Sequence, residues 1–128
     1  MEKATGIGGL FIRSEDPVRL ARWYREALGI DTYSEAQDGV WQQEAGPTVW
    51  SPFPKDTDYF GRREQGFMVN VRVRDLDAML AQVRATGAVV IDDVQEMEGL
   101  GRFGWVEDPD GNRIELWQPA PETLSPSS

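Results

Sequence analysis

Apolar runs and helical stripes alternate along this chain, and the order occurs twice. Residues 7–14 (Ile-Gly-Gly-Leu-Phe-Ile-Arg-Ser) are mostly apolar and read as a strand loosened by Gly8 and Gly9. Ser14-Glu15-Asp16-Pro17 then offers a helix cap followed by a first-turn proline. Val18, Leu20, Ala21, Tyr24, Ala27 and Leu28 recur at helical spacing, and Gly29 stops the helix. Short strands are predicted at 31–36, 39–45 and 48–53, divided by Gly39 and Gly46-Pro47. A polar connection covers 54–65, long enough for a small domain to suggest a working loop.

The second half repeats the series. From Phe67 to Arg74 the pattern is strict alternation: Phe67, Val69, Val71 and Val73 on one face; Met68, Asn70, Arg72 and Arg74 on the other. Asp75 caps a helix with the stripe Leu76, Met79, Leu80 and Val83, ended by Gly87. Strands follow at 88–94, 102–107 and 112–118, the last two joined by the turn Asp108-Pro-Asp-Gly-Asn112. Leu10–Asp16 lies over Val69–Asp75, and Gly46–Trp50 over Gly111–Glu115, with few identities. The architecture read from this is βαβββ twice in tandem, an α+β fold.

Composition narrows the chemistry. At 128 residues the chain is one domain's worth. Thirteen basic against 22 acidic residues give a net charge of −9, which disfavours nucleic acid or an anionic membrane as partner. There is no cysteine and no histidine, which excludes thiolate nucleophiles, iron–sulfur clusters, Ser-His-Asp triads and every His-containing metal site. Met1–Thr5 lacks the basic-then-apolar pattern of a signal peptide and no apolar run approaches a membrane span, so a cytoplasmic location is expected. The Pro/Ser-rich end is expected to fray.

Asp-Pro before the first helix, Arg22-Trp-Tyr24 within it and Asp108-Pro-Asp-Gly-Asn-Arg-Ile-Glu-Leu-Trp117 near the end carry a resemblance. In tandem βαβββ modules of this length they resemble the vicinal oxygen chelate superfamily: the glyoxalase, bleomycin-resistance and extradiol-dioxygenase group. The resemblance covers residues 6–119. It implies a single glyoxalase-like domain over 1–128: module one at about 6–54, a loop at 54–65, module two at about 66–119 and a tail at 120–128. It further implies a half-open antiparallel cup with the active site inside, and a homodimer.

The family's metal enzymes take ligands from the first and last strands of each module. Carried over residue by residue, those positions fall on Gly9, Trp50, Met68 and Glu115. Only Glu115 is a ligand type, and a slip of one residue offers Leu10, Ser51 or Val69. One carboxylate does not hold a hard divalent ion tightly. No cofactor is therefore expected, a divalent metal held through relocated carboxylates such as Glu44 being the alternative.

If Glu115 faces the cup, alternation sets Arg113 and Trp117 beside it, with Ile114 and Leu116 under the helices. Phe11 and Arg13, Met68, Asn70 and Arg72, and Trp50 complete the expected pocket lining. Glu115 is either a catalytic carboxylate or a remnant neutralised by Arg13 or Arg72. Trp50 and Trp117 are either stacking surfaces or packing. Tyr59, with Phe60-Gly61, is either a lid or part of a loop pinned by its own aromatics. The leading expectation is a small-molecule-binding protein taking an aromatic or cationic compound. The alternatives are a metal-dependent lyase, isomerase or dioxygenase, and a cofactor-free enzyme with Glu115 as general base.

Overall fold

A computed structural model describes residues 1–32 and 39–124 of the chain. The elements in order are α1 (Pro17–Leu28), β1 (Val69–Arg72), α2 (Leu76–Ala85), β2 (Val90–Met97), β3 (Gly101–Glu107), β4 (Arg113–Pro119) and α3 (Pro121–Leu124). Both long helices begin as their sequences require. The Asp16 side chain accepts from the Arg19 amide with Pro17 in the first turn, and Asp75 accepts from the Ala78 amide. Gly29 ends α1 in the left-handed region.

The second module is complete. Its four strands form one sheet in the order β1-β4-β3-β2, with β1 parallel to β4 and the other pairs antiparallel. Period-two alternation divides the sheet into two faces. Val106, Ile114 and Leu116 are fully buried against Trp23, Ala27 and Leu28 of α1 and Leu76, Leu80 and Val83 of α2, with Val71 and Val73 packed alongside. Each buried valine, leucine or isoleucine here stabilises the fold by roughly 1.5–3 kcal/mol. Polar ties lock this layer: Gln82 Nε2 donates to Ala27 O at 2.8 Å, and Trp23 Nε1 to Thr86 Oγ1 at 3.2 Å. The Tyr24 hydroxyl donates to Asp108 Oδ2 at 2.7 Å, fastening α1 to the β3–β4 turn. The same carboxylate accepts from the Asp110 and Asn112 amides, so this turn is held by local chemistry.

The first module differs from expectation. Its helix is present, but among the described residues 7–14, 39–45 and 48–53 form no hydrogen-bonded strand. Most of the strand expected at 31–36 lies outside the described residues. Strand pattern is local whereas a ladder needs a partner, and these segments find none among the described residues. Their apolar side chains stay in solvent: Ile7, Leu10, Phe11, Val49 and Trp50 are all exposed. Pro121–Leu124 turns once as α3, with Ala120 N bonded to Leu100 O and Thr123 Oγ1 to Gly99 O, and the rest of the tail, 125–128, lies outside the described residues.

Candidate functional site

The sheet face turned away from the helices is set by strand register. Asn70, Glu115, Trp105 and Ile91 form one row across the four strands; Arg72, Trp117, Phe103 and Gln95 form the next. Glu115 sits near the middle, 8% exposed. Burial of a carboxylate requires hydrogen-bonding partners, and Glu115 has three. Asn70 Nδ2 donates to Oε1 at 2.6 Å and Trp105 Nε1 to Oε2 at 3.1 Å, while the Tyr59 hydroxyl donates to Oε2. All three are neutral, so neither Arg13 nor Arg72 neutralises Glu115 as the sequence suggested.

Tyr59 arrives from the 54–65 connection, which folds over the sheet as a fixed cover. Phe53 stacks on Tyr59 with centroids 5.5 Å apart, and Phe60 tilts against Phe53 at 5.2 Å. Tyr59 meets Trp105 edge-on at 6.1 Å. Gln65 bonds both backbone groups of Arg113, whose Nη1 donates to Tyr59 O at 3.2 Å. Gly61 lies so close to the Arg113 guanidinium that a Cβ there would stand 3.2 Å from Nε. The loop is held by its own aromatics, and Tyr59 lies over the carboxylate. Burial, and next the bond to Glu115, raise the Tyr59 pKa far above the ordinary phenol value, so its proton stays in place.

Beside Tyr59 a concavity of about 210 Å³ is lined by Tyr59, Ile91, Asp93, Gln95, Trp105 and Arg113. Tyr59 and Arg113 were anticipated there. Trp105, Ile91, Asp93 and Gln95 were missed, although the hairpin around Asp108–Asn112 carried a signal. Pairing Glu107 with Arg113 across that turn sets Trp105 opposite Glu115.

The other expected pocket residues are dispersed. Trp117 is buried, stacked on Phe103 with planes 2° apart, and its Nε1 donates to Leu100 O at 2.9 Å. Met68 is half-buried and Asn70 serves Glu115. Arg72 turns from the cup to the first-module arm: Nη2 donates to Glu44 O at 2.8 Å and Nη1 to Pro47 O. It lines a separate groove of about 360 Å³ with Trp41, Val71, Val73 and Met79. Phe11, 93% exposed, Arg13 and Trp50, 82% exposed, line neither concavity, because the strands meant to carry them inward have not formed.

Among the described residues no three His, Cys, Asp or Glu side chains come together to hold an ion. Both Glu115 oxygens already accept from neutral donors. These residues do not fit a divalent metal.

Comparison with known proteins adds the family. No curated protein sequence matches the chain. Among solved structures it resembles TnmS3, an antibiotic binding protein from Streptomyces sp. CB03234, at 22% identity and a TM-score of 0.62, covering 94% of this chain and 100% of that one. A glyoxalase-related enzyme from Fulvimarina pelagi aligns at 17% identity and TM-score 0.58, over 98% and 99% of the two chains. A member of the glyoxalase/bleomycin resistance protein/dioxygenase superfamily from Sphaerobacter thermophilus DSM 20745 aligns at 17% and 0.52, over 84% and 91%. These likenesses show the fold. The family model of the glyoxalase-like domain matches residues 9–117, and the chain belongs to that family within the vicinal oxygen chelate superfamily.

Proposed function

We propose that this protein is a metal-free, small-molecule-binding member of the glyoxalase/bleomycin-resistance group, holding an aromatic or cationic compound against the face that carries Trp105 and Tyr59. The observation that carries the reading is the state of Glu115. The one position retaining the family's ligand type is roofed by Tyr59 and committed to three neutral donors, two of which, Tyr59 and Trp105, line the concavity. The similarity to an antibiotic binding protein lends support. The net charge of −9 favours a cation over an anion. Glu115 as general base has less support, since a base needs a free lone pair within reach of substrate. The homodimer that the resemblance implies is supported by the exposed Phe11, Trp50 and Phe53.

The test is thermal unfolding of metal-stripped protein with Mg²⁺, Mn²⁺, Fe²⁺, Ni²⁺ or Zn²⁺, and separately with the planar cation proflavine. Wild type and Glu115→Gln are compared. A ligand at about 100 times its dissociation constant adds roughly 2.7 kcal/mol, several degrees for a domain of this size. Stabilisation by proflavine alone is expected. A shift with a metal ion that disappears in Glu115→Gln overturns the metal-free reading.

A further inference from the structure

The concavity beside Tyr59 is polarised by what lies behind it. A phenol has one proton to donate and two lone pairs to offer. The Tyr59 proton points backward to Glu115 Oε2, and the single donor of the Trp105 indole is spent on the same oxygen. Burial and the Glu115 bond hold the phenol in its protonated form, so this arrangement does not invert by ionisation near neutral pH. What the Tyr59 oxygen has left to offer a ligand is therefore lone-pair density, and the Trp105 indole has no donor to spare. Arg113 and Gln95 carry the donors of the lining. Arg113 Nη1 donates to Tyr59 O, and its buried Nε, under Gly61, has no hydrogen-bond partner among the described residues. Asp93 on the lining is a second acceptor.

We infer that the concavity selects aromatic ligands bearing a hydrogen-bond donor, a ring N–H or hydroxyl, which it seats on the Tyr59 hydroxyl oxygen. This rests on the small-molecule reading above and specifies the ligand's chemistry. At about 210 Å³ the space falls below the roughly 300–1,000 Å³ of common ligand pockets, so it takes one or two fused rings and leaves the remainder of a larger compound outside. An aromatic of the same shape without the donor leaves the phenol oxygen desolvated and unpaired, an asymmetry worth roughly five- to tenfold in affinity.

Indole and benzofuran are near-isosteric bicycles that differ in this donor. Each is titrated into ¹⁵N-labelled protein while the indole N–H resonance of Trp105, assigned with Trp105→Phe, is followed. Wild type is expected to bind indole at least fivefold more tightly than benzofuran, and Tyr59→Phe to bind the two alike. In Glu115→Gln an amide can donate to Tyr59 and release its proton forward, so the preference is expected to shrink. Equal affinities in wild type, or a preference that survives in Tyr59→Phe, overturn the donor rule and leave the aromatic site standing. If neither compound moves the Trp105 resonance up to its solubility limit, the small-molecule reading of this concavity fails and the donor rule falls with it.

Discussion

Asn70 and Glu115 are register partners on the parallel strands β1 and β4, and the Asn70 amide donates to Glu115 Oε1 at 2.6 Å. A backbone pairing thus delivers a side-chain donor to a buried carboxylate. With Trp105 and Tyr59 it makes Glu115 a junction joining β1, β3, β4 and the covering loop.

Removing that junction's charge is costly. Glu115→Gln keeps the volume, but an amide oxygen replaces one carboxylate acceptor and its NH₂ faces N–H and O–H donors. A loss of about 2 kcal/mol is expected. Chemical denaturation should show it as a lower midpoint at an unchanged slope.

The two described tyrosines make stability sensitive to alkali. Burial first, then bonds to Asp108 and Glu115 respectively, raise Tyr24 and Tyr59 above their ordinary value of 10.0. A raised folded-state pKa gives stability that is complete below the unfolded value and is lost as pH rises through the folded one. The melting temperature should therefore fall progressively above about pH 10. In Tyr24→Phe/Tyr59→Phe the decline between pH 9 and 11 should be shallower, although the variant is less stable at pH 7.

Gly101 opens β3 at φ 129°, where an added Cβ would stand 2.1 Å from Gln118 O and 2.7 Å from Ala120 N. Those are backbone atoms and cannot step aside. Gly101→Ala should cost about 3 kcal/mol or more. Gly99, two residues earlier at φ 82° with nothing within 4 Å of the Cβ position, is the control. Gly99→Ala should cost only the left-handed penalty of about 1–2 kcal/mol.

Arg72 brackets the first-module arm through two carbonyls, Glu44 O and Pro47 O. Chymotryptic cleavage at Trp41 and Trp50 should be several-fold faster in Arg72→Ala. Arg72→Lys should not restore protection, because a single ammonium lacks the planar fork that spans both oxygens. Wild-type cleavage rates in either variant would show that the bracket does not hold the arm.

What the sequence disclosed follows physical range. On β4, alternation separated Ile114 and Leu116 from Arg113, Glu115 and Trp117 because each residue's face depends only on its neighbours. Both long helices could be read from their Asp caps for the same reason. Trp105 was one step of reasoning away, through the hairpin register. Phe11, Arg13 and Trp50 misled, because apolar character states a preference for burial without naming the partner that provides it. Arg72 misled differently. Its strand face was right, but a long side chain reached beyond that face to carbonyls no pattern marks.

The parallel pairing of β1 with β4 also bears on how the molecule assembles. β2, β3 and β4 form by short antiparallel turns, whereas Asn70 must wait for a partner 45 residues downstream. Closing that span costs more chain entropy than either hairpin, and β1 adds only four paired residues in return. Amides of β1 should therefore exchange with deuterium ahead of those in β3, through openings smaller than global unfolding. Each such opening takes Asn70 away from Glu115. The back wall of the face proposed to bind then fluctuates with the least secured strand of the sheet, and a ligand that tightens the wall would register there, as slowed exchange along Val69–Arg72, before it registers in the melting temperature.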